Sequence, residues 1–208
     1  MYRFLRFILL GFIKTFYPYR VIHIERAQTK GAKVVICNHY SFCDPFMVGS
    51  CFKEKMYFLG KKELFKNKLV AAVARTVGGI PVDRDNVDLN AIKECLKTLK
   101  NGDKLGIFPE GTRNKTDEEL MPVKSGAAVI AVKGKANFLP FYVYEKSRFL
   151  HKNILFVGNE VSLEKYFGLK ITKELEEELS VILRNAILDT KKECLQYVED
   201  RKKGKKKK

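Results

Sequence analysis

The 208-residue chain lacks several signatures, and each absence removes a class of function. Its five cysteines, Cys37, Cys43, Cys51, Cys95 and Cys194, form no Cys-x-x-Cys pair. Neither a zinc knuckle nor a complete disulfide framework is indicated, and the odd count reads as reduced thiols in a cytoplasmic setting. His23 and His151 stand in no metal-ligand spacing, and Cys37, His39 and Asp44 make a poor ligand set, so no metal is expected. There is no Walker loop and no aromatic RNA-recognition signature, which argues against a nucleic-acid partner. No Gly-x-Ser-x-Gly elbow accompanies Ser41, which reads as a turn hydroxyl rather than a nucleophile. Cys43 likewise reads as a small buried side chain at a loop base.

A spanning apolar run is also missing from the N-terminus. The segment Phe7 to Ile13, between Arg6 and Lys14, would as a helix cover only about a third of a bilayer's hydrocarbon core. No small-x-small cleavage site follows, and Tyr17-Pro18-Tyr19 suits a signal peptidase poorly. On a helical wheel Arg3, Arg6 and Lys14 share one sector, although Phe7 and Leu10 intrude on it. That pattern fits a helix lying in a membrane interface with its cations reaching toward phosphates; the alternative is a helix packed on the protein's own core.

What is present in excess is positive charge. Forty Lys and Arg against twenty-four Asp and Glu give a formal net charge of +16. The body stays basic when the lysine-rich tail is set aside, so an anionic partner is expected: nucleic acid, anionic lipid or a phosphorylated substrate. With 46% hydrophobic residues the chain can bury a sizeable core. The expected organisation is a membrane-associating helix over 1–20, a single domain over 21–200 and a disordered tail over 201–208, where like charges repel and nothing apolar anchors the chain.

Within the domain, short β-branched runs alternate with helical patterns. Strands are expected at Lys33 to Cys37, Lys55 to Leu59, Gly79 to Val82, Lys104 to Phe108, Phe138 to Tyr144 and Ile154 to Val157. Helices are expected at Lys68 to Val77, Leu89 to Lys100, Ser125 to Val132 and Thr172 to about Val198. The fold class is therefore α/β: one domain with a central mostly parallel, mixed sheet flanked by helices. The stripe Leu175, Leu179, Ile182 and Ala186 reads as domain packing rather than a dimer seam.

Three loops carry chemistry. In Asn38-His39-Tyr40-Ser41-Phe42-Cys43-Asp44-Pro45, a strand end delivers His39 to the rim of the sheet, and Pro45 makes Asp44 read as the N-cap of the next helix. If the loop folds back, Asp44 can hold one imidazole nitrogen while the other takes a proton from an alcohol. The plainer reading leaves Asp44 a cap and His39 a polar rim residue. In Phe108-Pro109-Glu110-Gly111-Thr112-Arg113, a strand ends in a turn where Gly111 admits a ligand. There Arg113 can grip a phosphate with help from Thr112, and Glu110 can fix Arg113 or meet a substrate hydroxyl. Gly78 to Arg84 sets a second arginine, Arg84, just after a strand, with Asp83 orienting it.

Taken together and in this order, the segments from about Val34 to Pro140 resemble the glycerolipid acyltransferase family, most closely the 1-acylglycerol-3-phosphate acyltransferases. His39 with Asp44 looks like the family's His-x-x-x-x-Asp motif, Gly79 to Arg84 its arginine-bearing motif, Phe108 to Arg113 its Pro-Glu-Gly-Thr-Arg motif, and Leu139-Pro140 the short fourth one. Lys61 to Leu64 and Lys124 to Ala127 are similar to further family segments. Pro81 departs from the pattern, standing where an aromatic or aliphatic residue is usual.

The resemblance implies that His39 deprotonates the free hydroxyl of a lysophosphatidic acid for attack on the thioester of acyl-CoA or acyl-carrier protein. Asp44 would orient His39, loop amides would hold the oxyanion, and Arg84, Glu110, Gly111, Thr112, Arg113 and Lys124 would bind substrate. The expected partners are the acyl donor, the lysophospholipid acceptor and an anionic membrane surface, at the cytoplasmic face, and no cofactor is expected. The alternatives are an acyltransferase for another lysolipid and a non-catalytic lipid-binding protein on the same scaffold.

Overall fold

The computed structural model describes residues 2–84, 86–116 and 118–206, and its main feature is one seven-stranded sheet. In chain order the strands are β1 (Tyr19–Ile22), β2 (Lys33–Cys37), β3 (Met56–Lys61), β4 (Gly79–Val82), β5 (Lys104–Ile107), β6 (Asn137–Val143) and β7 (Asn153–Val157). They lie in the order β1-β7-β6-β2-β5-β3-β4. Only β6 and β7 run antiparallel, so the sheet is mixed and mostly parallel, as the alternating pattern indicates.

Among the described residues six α-helices cover the two faces: α1 (Tyr2–Phe16), α2 (Asp44–Gly49), α3 (Lys68–Thr76), α4 (Leu89–Lys100), α5 (Gly126–Lys133) and α6 (Lys173–Lys206). Strand alternation assigns side chains to two cores. Val34 and Ile36 of β2, with Phe138 and Tyr142 of β6, face α4, α5 and α6. Val35 and Cys37, with Leu139, Phe141 and Val143, face α2 and the base of α1. β2 is buried at every position because helices cover both its sides.

Side-chain caps open α3 and α4, whereas α2 and α5 start without one. Asn67 accepts from the amides of Leu69 and Val70 to open α3, and Asp88 accepts from Asn90 and Ala91 to open α4. Gly106 of β5 has a packing reason: a Cβ there would come within 2.3 Å of the Phe58 ring and 2.7 Å of Met56 Cε. The bare strand lets Phe58 lie across it toward Phe108.

The structure departs from the sequence pattern at four places. β1 is a strand that periodicity does not reveal, since four residues after Pro18 carry little signal; parallel pairing with β7 makes it one. Asp44 is not a cap: the helix begins with it, and its carboxylate turns back to the preceding loop. α6 continues through Lys206, so helix enters the segment expected to be a disordered tail, and 207–208 lie outside the described residues. Finally, Arg6 does not reach outward. Its guanidinium donates to the carbonyls of Gly49 and Phe52 at the end of α2, and to those of Lys53 and Glu54 at 3.2 Å each. Orphan carbonyls at a helix C-terminus attract a cation, which fixes α1 on α2. Ile13 is buried beneath α1, whereas Phe4, Phe7, Ile8 and Phe12 stay exposed.

Candidate active site

The carboxyl ends of β2, β4 and β5 bring the three loops to one rim, where open α/β sheets place their ligands. His39 stands two residues after β2. Its Nδ1 lies 2.9 Å from Asp44 Oδ2, and that oxygen also accepts the amides of Tyr40 and Ser41 at 2.7 Å each. Asp44 is fully buried. A carboxylate with this many donors is fixed, and Nδ1 is held as the protonated nitrogen, which leaves Nε2 as the acceptor.

Other contacts hold the imidazole from behind. Its ring stacks on Phe108 at a centroid distance of 4.2 Å. The His39 amide donates to Glu110 Oε1 at 2.7 Å, and the His39 carbonyl accepts from the Asn114 amide at 2.6 Å. One residue earlier, the Asn38 side chain accepts from the Val143 amide and donates to its carbonyl, at 2.8 and 3.0 Å, clamping the end of β2 to β6. His39 thus projects from a loop whose backbone is tied on both sides.

The imidazole faces a cleft of about 820 Å³. One part is cationic, with Arg84, Arg113, Lys124 and Lys61; another is apolar, with Leu9 and Leu10 of α1, Phe46, Phe58, Leu59 and Val77. Gly111 adopts φ +69°, and a Cβ there would meet Lys124 Cε at 3.0 Å. Glycine therefore lets the Lys124 chain cross the turn. Arg84 donates to the Gly111 carbonyl at 2.6 Å, and Lys124 donates to the Arg84 carbonyl at 2.9 Å. These two bonds tie the β4 and β5 loops together. Arg113 and Thr112 are exposed beside them.

Residues 19–144 match the acyltransferase family. The chain belongs to that family. Among similar proteins, the 1-acyl-sn-glycerol-3-phosphate acyltransferase of Bacillus subtilis is 35% identical over 122 residues, 58% of this chain and 60% of that protein. The enzyme of that name from Borreliella burgdorferi is 29% identical over 170 residues, 79% of this chain and 68% of that one. Its counterpart from Streptococcus pneumoniae matches over 51% of this chain and 39% of its own length. The chain thus matches less than two thirds of the Bacillus and Streptococcus proteins. In three dimensions, the 1-acyl-sn-glycerophosphate acyltransferase PlsC of Thermotoga maritima superposes with a TM-score of 0.66 at 22% identity, covering 91% of this chain and 79% of that one. At that identity the likeness concerns the fold.

Against this family background the site residues divide by what they touch. Glu110 holds backbone rather than substrate, since its second oxygen accepts the Met121 amide at 3.1 Å. Burial raises its pKa above the ordinary carboxylate range, against the lowering effect of the His39 and Met121 amides. Burial also lowers the Arg84 pKa; Glu63 opposes this and Arg113 adds to it, so the two guanidinium groups feel each other. Cys43 is fully buried and its thiol pKa is raised by burial, opposite to what a nucleophile needs. Ser41 accepts the Cys43 amide as a turn hydroxyl.

Sequence reasoning missed the α1 wall, the Phe108 stack and the Asn38 clamp. A signal for the first existed: Leu10, which breaks the charged sector of the helical wheel, lines the cleft, as does Arg6.

Proposed function

We propose that the protein transfers an acyl chain from acyl-CoA or acyl-carrier protein to the free hydroxyl of 1-acylglycerol-3-phosphate, giving phosphatidic acid. The observation that carries this reading is the position of His39: oriented by Asp44 through Nδ1, it faces a cleft that is cationic in one part and apolar in another. A lysophosphatidic acid has that polarity, with a phosphate for Arg113 and Arg84 and a hydroxyl between its phosphate and acyl chain. The names of the Bacillus, Borreliella and Streptococcus relatives support the same acceptor.

In the proposed reaction His39 Nε2 takes the hydroxyl proton as the oxygen attacks the thioester carbonyl. Asp44 stabilises the imidazolium. Asp44 already occupies the amides of Tyr40 and Ser41, so the tetrahedral oxyanion draws its donors from the 112–113 turn. Collapse breaks the carbon–sulfur bond, and the thiolate recovers the proton from His39. The acyl donor is a co-substrate, and no covalent enzyme intermediate is required.

A membrane-surface location accords with α1. No described helix is long and apolar enough to cross a membrane, and the exposed Phe4, Phe7, Ile8 and Phe12 suit the interface of an anionic bilayer, with Arg3 and Lys14 exposed beside them. The location proposed is peripheral or monotopic, at the cytoplasmic face.

The test is a panel of lysolipid acceptors assayed with both thioester donors, with thiol release and acylated product measured together. His39→Ala is expected to lower turnover at least about 1,000-fold while leaving thermal unfolding close to that of the parent. Near-normal turnover would falsify the role of His39, and acylation of lysolipids lacking a phosphomonoester in preference to lysophosphatidic acid would refute the acceptor.

A further inference from the structure

A second exposed apolar surface lies outside the cleft, in the loop from β6 to β7. Its tip residues Phe149 and Leu150 are 63% and 62% exposed. Large adjacent apolar side chains rarely face water without a partner. The loop is nonetheless built. Leu150 holds φ +55°, in the left-handed region, and its amide donates to the Phe16 carbonyl at the end of α1 at 2.7 Å. His151 bonds Glu145 at 2.9 Å, and Asn153 accepts the Glu145 amide at 3.3 Å.

This tip continues the exposed face of α1. The Phe149 ring stacks on Phe16 at 5.6 Å and meets Tyr17 edge-on at 6.2 Å, and Phe16 contacts Phe12 at 4.8 Å. Lys146, Arg148 and Lys152 are exposed around the tip, and the one carboxylate of the stretch, Glu145, is engaged with Arg148 and His151. An apolar tip in a basic collar, contiguous with an amphipathic helix, complements an anionic bilayer in both hydrophobicity and charge.

We propose that the 146–152 loop is a second membrane-docking element, placing Phe149 and Leu150 among lipid acyl chains beside α1 while Lys146, Arg148 and Lys152 meet anionic headgroups. This rests on the reading of α1 as a membrane-surface helix. Arg6 already fixes α1 on α2, so a second docking point at the end of α1 sets the orientation of the whole domain on the bilayer, with Leu9 and Leu10 of α1 lining the cleft.

The chain has no tryptophan, so Phe149→Trp introduces a sole tryptophan, whose emission is read apart from that of the tyrosines. Mixed with phosphatidylcholine–phosphatidylglycerol vesicles, the Phe149→Trp protein is expected to shift its emission to the blue and to be quenched by brominated acyl chains. Val181→Trp, on α6 over the opposite face of the sheet and 57% exposed, is expected to do neither. Leu150→Asn keeps a residue suited to the left-handed conformation and is expected to weaken vesicle partition roughly tenfold. It leaves turnover of a detergent-dispersed acceptor unchanged, because Leu150 does not line the cleft. If the Phe149→Trp protein sediments with vesicles but its emission is neither shifted nor quenched, the loop proposal falls while α1 docking stands. If it does not sediment, both fall. Equal partition of Leu150→Asn and the parent also overturns the proposal.

Discussion

The His39 side of the cleft and its cationic side are built on opposite plans. Around His39 most hydrogen-bonding groups are already paired, the buried Asp44 Oδ1 excepted: Asp44 Oδ2 takes an imidazole nitrogen and two amides, and Glu110 takes the amides of His39 and Met121. On the cationic side Arg84 and Lys124 each donate a bond that joins two loops, and Arg113 stays exposed. A proton acceptor must be positioned before substrate arrives, since misplacement weakens the transition state directly. A phosphate-binding group gains from keeping donors unspent until the anion arrives. In the proposed reaction, geometry is fixed where the proton would move, and capacity is kept open where the phosphate would bind.

The strongest challenge to this contrast is Asp44→Asn. It preserves shape but weakens the acceptor and permits the wrong imidazole tautomer, so kcat is expected to fall about 100- to 10,000-fold with little change in acceptor KM. A large rise in KM with kcat intact would show that the fixed side binds rather than reacts. Arg113→Ala is expected to do the reverse, raising the KM for a phosphorylated acceptor about ten- to a hundredfold. A pure kcat loss would erase the distinction.

A smaller effect separates wall from chemistry. Arg6→Ala removes a cation from the carbonyls at the end of α2 and is expected to lower stability by about 2 kcal/mol, read by denaturant unfolding. It also loosens the α1 wall.

The smallest effect is a pH signature. Burial raises the Glu110 pKa, so the folded state binds a proton where the unfolded chain has released it. This contribution therefore falls as pH rises from the ordinary carboxylate value to the raised folded one, and it is flat above both. Glu110→Gln is expected to remove that slope in thermal unfolding measured across the acid range. An unchanged slope would assign it to another group.

The pairing of His39 with Asp44, the proposed catalytic pair, is legible in sequence because strand, loop and helix-start signals converge on them, but the cap role expected of Asp44 is not the one it takes. Five residues suffice for the loop to fold back, and three donors in the loop outcompete the helix amides for its carboxylate. Glu110 reads from sequence as a substrate contact beside Arg113. Only the approach of the 120–121 segment, held by Arg184 of α6 at 3.2 and 3.3 Å, turns it into the residue that anchors His39. Arg6 looked like a lipid-facing cation because a helical wheel contains no α2. β1 was missed for a related reason, since its identity comes from pairing with β7, 134 residues away at Tyr19 and Asn153.

By itself the sequence determined the α/β class, most element boundaries, and the chemistry-bearing loops, because periodicity, turn residues and motif spacing are local properties. Tertiary structure alone decided which donors a carboxylate meets, which cations remain unspent and which face of α1 closes the cleft. Those outcomes depend on distances between segments remote in the chain, and hydrogen bonds and packing act over a few ångströms whatever the separation in sequence.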